Sequence, residues 1–106
     1  AVQQSRSTVT IVFSDGAYGN VRRSQMEQYG GKVIATELHN PDFVKLAEAY
    51  GAKGIKCDTP AELDAAIADM INYDGPVLFD VLVEKDENCL PMIPSGKPSC
   101  SATDMA

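Results

Sequence analysis

The chain has 106 residues, 44% of them hydrophobic and 23% charged, and nine Lys and Arg against fifteen Asp and Glu give a formal charge of −6. That composition fits one globular domain with a modest core and excludes a disordered or fibrous segment, while the acidic balance argues against a nonspecific grip on nucleic acid or an anionic membrane. No apolar run approaches the roughly 18 residues that span a bilayer and no basic-then-apolar leader opens the sequence, so a soluble, cytoplasmic protein is expected, with no membrane and no nucleic acid among its partners.

Ala1-Val2-Gln3-Gln4 reads as the end of a helix. Thr8 to Phe13 is β-branched and apolar on both faces, which predicts a strand covered on both sides and central in a sheet. From Asn20 to about Tyr29 the pattern is a weak helix with Val21, Met26 and Tyr29 as its apolar members, ended by Gly30-Gly31. Asn40 as N-cap and Pro41 at the first helical position announce the next helix, in which Phe43, Leu46, Ala47 and Tyr50 recur at helical spacing until Gly51. Ala52 to Cys57 is a short strand in which Gly54 either weakens the pairing or permits a close approach. Thr59, Pro60 and Glu62 compose a capping box with proline just inside, and Leu63, Ala66, Ile67, Met70 and Ile71 form one stripe on the helix behind it. Asp74-Gly75-Pro76 breaks that helix and releases Val77 to Val83, a nearly continuous apolar strand expected inside the sheet. Alternating strands and helices imply parallel pairing, hence a three-layer, Rossmann-like α/β unit over residues 1–84, followed by a tail over 85–106.

The run from Val9 to Val21 carries the chemistry. Its strand delivers Asp15 to the carboxyl end, where open α/β sheets bind ligands. Gly16 and Gly19 let the backbone bend and approach a ligand, and the helix opening near Asn20 directs free N–H groups at an anion. A metal-diphosphate site is one reading of this turn; an ordinary strand-end turn, for which Asp and Gly are suited by conformation alone, is the other.

Phe13-Ser14-Asp15-Gly16-Ala17-Tyr18-Gly19-Asn20-Val21-Arg22-Arg23, then Gln28-Tyr29-Gly30-Gly31, then Asn40-Pro41-Asp42-Phe43-Val44-Lys45-Leu46-Ala47, resembles the carboxyl-terminal cofactor domain of thiamine-diphosphate-dependent enzymes, and in particular the acetolactate synthase group. Glu87-Asn88-Cys89-Leu90-Pro91-Met92-Ile93-Pro94-Ser95-Gly96 is similar to the tail of that group's catalytic subunit, which folds across the active-site mouth, and the likeness extends from Ala1 to about Gly96. The resemblance implies a magnesium ion that clamps the cofactor diphosphate through a two-part motif, a Gly-Asp-Gly turn and a later asparagine pair. Aligned on Tyr18-Gly19-Asn20, that pair becomes Ser14 and Asp15. The resemblance then makes the Asp15 side chain and the Ala17 carbonyl the metal ligands, with Gly16, Tyr18, Gly19, Asn20 and Val21 against the cofactor. A carboxylate satisfies magnesium as an amide oxygen does, with one more negative charge beside the diphosphate.

A register in which Ser14-Asp15-Gly16 is the first half and His39-Asn40 the second is rejected, because no apolar strand precedes His39. The Gly-Asp-Gly half is then expected upstream of Ala1, as is the domain whose glutamate activates the cofactor in this family. No catalytic side chain is assigned within the 106 residues, and His39 reads as a surface or hinge residue. Arg22 and Arg23 fit either a substrate anion or an exposed helix face, and Tyr18 and Val21 either cofactor contact or core. Ser24 stands where biosynthetic members usually carry a large aromatic, which puts the acceptor keto acid in doubt, and Pro98 to Ala106 departs from the family ending. Cys57, Cys89 and Cys100 are an odd set without metal-ligand spacing and read as free structural thiols.

The resemblance implies a fragment of a carboligase that acts on α-keto acids, in a homo-oligomer, inactive alone, with flavin bound elsewhere in the full-length family and not by this segment. The competing expectation is a freestanding α/β module with a vestigial site, in which an open sheet edge drives self-association.

Overall fold

A computed structural model describes residues 1–87, 90–93 and 95–102. After a 3-10 turn at Val2–Gln4 the order is β1 (Val9–Ser14), α1 (Gly19–Gln28), α2 (Phe43–Ala49), β2 (Lys53–Cys57), α3 (Leu63–Asn72) and β3 (Val77–Leu82), with a further 3-10 turn at Ser99–Ser101. The strands form one parallel sheet in the order β1-β3-β2. Ile11 and Ile55 flank Phe79 in register, and Thr10 and Gly54 flank Leu78. The alternation of a pleated sheet therefore sorts the residues onto two faces.

One face carries Ile55, Cys57, Val77 and Phe79, on which α3 lays Ala66 together with the partly buried Leu63, Ile67 and Met70. This is the hydrophobic core, and full burial of each such large side chain contributes roughly 1.5–3 kcal/mol. Ile71, the last member of the expected stripe, stays outside at 69% exposure. On the opposite face α2 sits against β2 and β3 with Ala47 buried. Its approach depends on Gly54: a Cβ there would lie 2.6 Å from the Val44 Cα and 2.8 Å from its carbonyl oxygen. The expected three-layer, partial Rossmann-like arrangement is what forms, and Gly54 allows a close approach.

Four local expectations are corrected. The first strand is an edge of this sheet, with β3 in the centre, and Val9, Ile11 and Phe13 are 51%, 45% and 71% exposed. Asn40 does not cap α2; the Asp42 carboxylate accepts from the Lys45 N–H at 3.1 Å, which places Pro41 before the cap. Leu46 and Tyr50 are exposed, whereas Ala47 of the same expected stripe is buried and Val44 lies against Gly54 of the sheet. Thr59 and Glu62 do not close a capping box, since Pro60–Glu62 winds as a 3-10 turn in which the Glu62 N–H donates to the Thr59 carbonyl at 3.2 Å. Proline does occupy the first turn there.

Both expected glycine stops hold. Beyond α2, Gly51 takes φ 78° and donates to the Glu48 carbonyl while Ala52 donates to the Ala47 carbonyl, a Schellman closure. Beyond α1, Gly30 and Gly31 take φ 66° and 75°.

Candidate functional site

β1 ends at Ser14, and the chain then turns through Asp15 and Gly16 into a single antiparallel bridge between Ala17 and Glu37. Gly16 takes φ 70°, a left-handed conformation that costs other residues strain. Two hydrogen bonds flank the bridge, from the Tyr18 N–H to the Thr36 carbonyl and from the Leu38 N–H to the Gly16 carbonyl, both 2.8 Å. Ala17 is thus the non-hydrogen-bonded member of its pair, and its own N–H and C=O point away from the strand at 36–38. The N–H meets the Asp15 Oδ1 at 3.0 Å. Since N–H and C=O of one extended residue face the same side, the Ala17 carbonyl lies on the side that carries the Asp15 carboxylate.

Asp15 is half-buried, with Oδ1 tied to its own turn and Oδ2 turned toward α1, where a Cβ on Gly19 would come within 2.9 Å of it. The absence of that Cβ opens a cradle beside Oδ2. Tyr18 occupies the N-cap position without a side-chain hydrogen bond to the helix, so among the described residues the first N–H groups of α1 have no capping side chain. A cavity of about 180 Å3 lies here, lined by Asp15, Gly19, Asn20, Arg23, Glu84, Lys85 and Glu87. Among the described residues no three His, Cys, Asp or Glu side chains converge as a ready-made metal cage. The donors fit magnesium in another way: a carboxylate and a carbonyl are hard oxygens on one side of the turn, and this ion commonly takes its remaining ligands from phosphate and water.

Of the sequence-predicted cofactor residues, Asp15, Gly19 and Asn20 share this cavity. Ala17 and Gly16 build the turn behind it, while Tyr18 and Val21 are 57% and 52% exposed and do not line it. Neither belongs to the core. The Arg22 guanidinium pairs with Asp86 and lies 3.7 Å from Glu37, and Arg23 pairs with Glu27 one helical turn on at 2.9 Å. His39 lies in the exposed loop before α2. Cys57 and Cys100 are free thiols, the first buried; Cys89 lies outside the described residues.

Asp80 is the residue that the sequence reading passed over. It stands in the middle of β3, 8% exposed, with Oδ1 buried and without a hydrogen-bond partner among the described residues. It helps to line a cavity of about 420 Å3 with Ser14, Asn40, Pro41, Phe43, Lys56, Asp58 and Leu82, beyond the carboxyl ends of the three strands. Burial pushes its carboxyl above the ordinary value, Lys56 opposes the shift, and Asp58 and Asp42 add to it. One acid within an otherwise apolar strand was the available signal.

The family model described as thiamine pyrophosphate enzyme, C-terminal TPP binding domain, matches residues 1–81. The chain is similar to the mitochondrial acetolactate synthase catalytic subunit of Saccharomyces cerevisiae, 36% identical over 96 residues, which is 91% of this chain and 14% of that protein. It is likewise 35% identical over 98 residues to the acetolactate synthase large subunit of Pyropia yezoensis, with 91% and 17% covered. The acetolactate synthase of Bacillus subtilis is 34% identical over 88 residues, with 83% and 15% covered. The chain therefore spans less than a fifth of the length of these relatives.

Proposed function

The chain belongs to the thiamine pyrophosphate enzymes, as their C-terminal TPP-binding domain, and from that premise we propose that its Asp15 turn holds the diphosphate of thiamine diphosphate through Mg2+ within an acetolactate-synthase-like carboligase acting on α-keto acids. What supports this reading is a turn in which the Asp15 carboxylate accepts from the Ala17 N–H and the extended geometry of Ala17 directs its carbonyl to the same side, beside the N-terminus of α1. Asp15 Oδ2 and the Ala17 carbonyl would hold the metal. The N–H groups at the start of α1 and the Asn20 amide favour the diphosphate oxygens, because a helix N-terminus carries partial positive charge. When bound, thiamine diphosphate supplies nucleophilic carbon chemistry toward the carbonyl of an α-keto acid; the protein supplies position and electrostatics.

Within the 106 residues no side chain is assigned the cofactor-activating role, so the isolated polypeptide is expected to bind and not to turn over. A homo-oligomer is the assembly we propose, in the cytoplasm of the cell that makes it. Calorimetric titration with thiamine diphosphate and Mg2+ tests the site: saturable heat that is lost in Asp15→Ala supports it, and equal heats in the two proteins sink it.

A second reading, a freestanding self-associating module, is favoured by the exposure of Val9, Ile11 and Phe13 along the edge strand β1. Such an edge invites pairing with another chain. A stable dimer that shows no heat at millimolar cofactor would favour this reading over the first.

A further inference from the structure

Three segments meet around the guanidinium of Arg22. It projects from α1, its side chain only 17% exposed, pairs with Asp86 beyond β3, and lies 3.7 Å from Glu37 in the segment that bridges Ala17. Glu37 also holds Lys85 at 3.5 Å. Asp86 in turn donates its N–H to the Glu84 Oε1 at 3.2 Å. The Arg22 Nε is buried without a hydrogen bond among the described residues, and it is the Nη1 that donates to the Asp86 carboxylate. The contacts hold Glu84, Lys85 and Asp86, and Glu84, Lys85 and the next residue, Glu87, line the cavity together with Asp15, Gly19 and Asn20.

The cavity has a definite charge. Asp15, Glu84 and Glu87 bring three negative charges to the cavity, while Arg23 and Lys85 bring two positive ones, and these are engaged by Glu27 and Glu37 respectively. A bare diphosphate entering here meets repulsion. A divalent cation meets attraction, and over so small a cleft each carboxylate changes the affinity for such an ion by roughly three- to tenfold at a surface-like dielectric.

We propose that Arg22 is a positioning residue: through Asp86 and Glu37 it fixes Glu84 and Glu87 as an acidic wall that makes binding of the diphosphate conditional on the divalent cation. The proposal rests on the reading of the Asp15 turn as the cofactor site. Arg22 touches neither cation nor cofactor in this scheme; it sets where the carboxylates stand.

The test is the gain in thiamine diphosphate affinity brought by Mg2+, measured by calorimetry of the whole chain with excess Mg2+ and with a chelator. Arg22→Gln is expected to cut that gain at least fivefold, partly by tightening binding of the metal-free cofactor, and the exposed substitution Asp86→Asn should do the same with the fold intact. Arg22→Lys, which keeps the charge opposite Asp86, should retain most of the gain. Glu84→Gln combined with Glu87→Gln should lower the gain without touching the latch. A purely structural role would weaken both titrations in parallel and leave their ratio alone, and an unchanged ratio in Asp86→Asn overturns the proposal. Amide exchange at Asp86 reads the latch by itself and should quicken about tenfold in Arg22→Gln; no change there refutes the latch. If the parent chain binds no cofactor under either condition, the cofactor reading fails and the metal-conditional role with it, while the exchange result still judges whether Arg22 holds the segment.

Discussion

Gly19→Ala separates the site from the fold more sharply than any other single change. Alanine in place of glycine favours a helix by roughly 0.5–1 kcal/mol, less in the first turn, where Gly19 stands. Against that gain, the new Cβ would lie 2.9 Å from Asp15 Oδ2, a distance that real Cβ contacts do not show. The carboxylate must retreat, and because its other oxygen accepts from the Ala17 N–H at 3.0 Å, the retreat loosens that bond. Such a bond contributes about 0.5–1.5 kcal/mol net, so the two effects nearly cancel in stability. They do not cancel in binding, since the displaced atom is the one assigned to the cation. Thermal unfolding followed by circular dichroism should shift by no more than about 8 °C, the most that 1 kcal/mol moves a domain of this size. Calorimetry with thiamine diphosphate and Mg2+ should show a loss of about tenfold, which is 1.4 kcal/mol. Unchanged affinity in a folded Gly19→Ala protein would refute the placement of the metal at Asp15.

Gly54→Ala should instead damage the fold, because its Cβ would meet backbone of α2 at 2.6 Å; a loss of about 1–3 kcal/mol is expected in urea unfolding, and a midpoint equal to that of the parent would refute the packing. Asp42→Ala should cost about 1 kcal/mol through the lost cap on Lys45, whereas Asn40→Ala should cost less, an order that the same measurement checks. For Asp80 the sign is set by a carboxyl held above its ordinary 3.8, so the folded chain binds that proton more tightly than the unfolded one. Its contribution to stability is fully present below the unfolded value and is lost as pH rises through the folded value. Asp80→Asn should flatten the dependence of melting temperature on pH in that window and melt no lower than the parent at neutral pH; a lower neutral melt with an unchanged slope would contradict the assignment.

What the sequence discloses and what it hides follow the range of the interactions involved. The stripe on α3 as far as Met70, the stop at Gly51 and, as one of two readings, the close approach at Gly54 are legible because each depends on residues a few positions apart or on the one residue type that fits. The capping assignments failed locally for a physical reason as well: Asn40 and Asp42 are both competent caps two residues apart, and the tighter 3-10 winding at Pro60–Glu62 lets a backbone carbonyl take the N–H that a Thr59 side chain would have accepted. The apolar run of β1 records what that strand is built to bury, and says nothing of which neighbour stands beside it; hence a strand read as central lies at an edge.

The site divides along the same line. The Asp15 turn is contiguous in sequence, so its glycine conformation and the start of α1 could be read from one short run. Its walls are not contiguous: Glu84, Lys85 and Glu87 come from beyond β3, and Asp86 in the same stretch meets Arg22 from 64 residues away. A motif read along the chain therefore offers candidate ligands and misses the charges that surround them. On the proposed reading those charges weigh against a bare diphosphate and favour one that carries a cation, because a fixed carboxylate repels the phosphate oxygens and attracts the ion. On that reading the Arg22 contacts bear on the same equilibrium as Asp15 itself, and a variant at either place is informative only when the cofactor is titrated with the metal and without it.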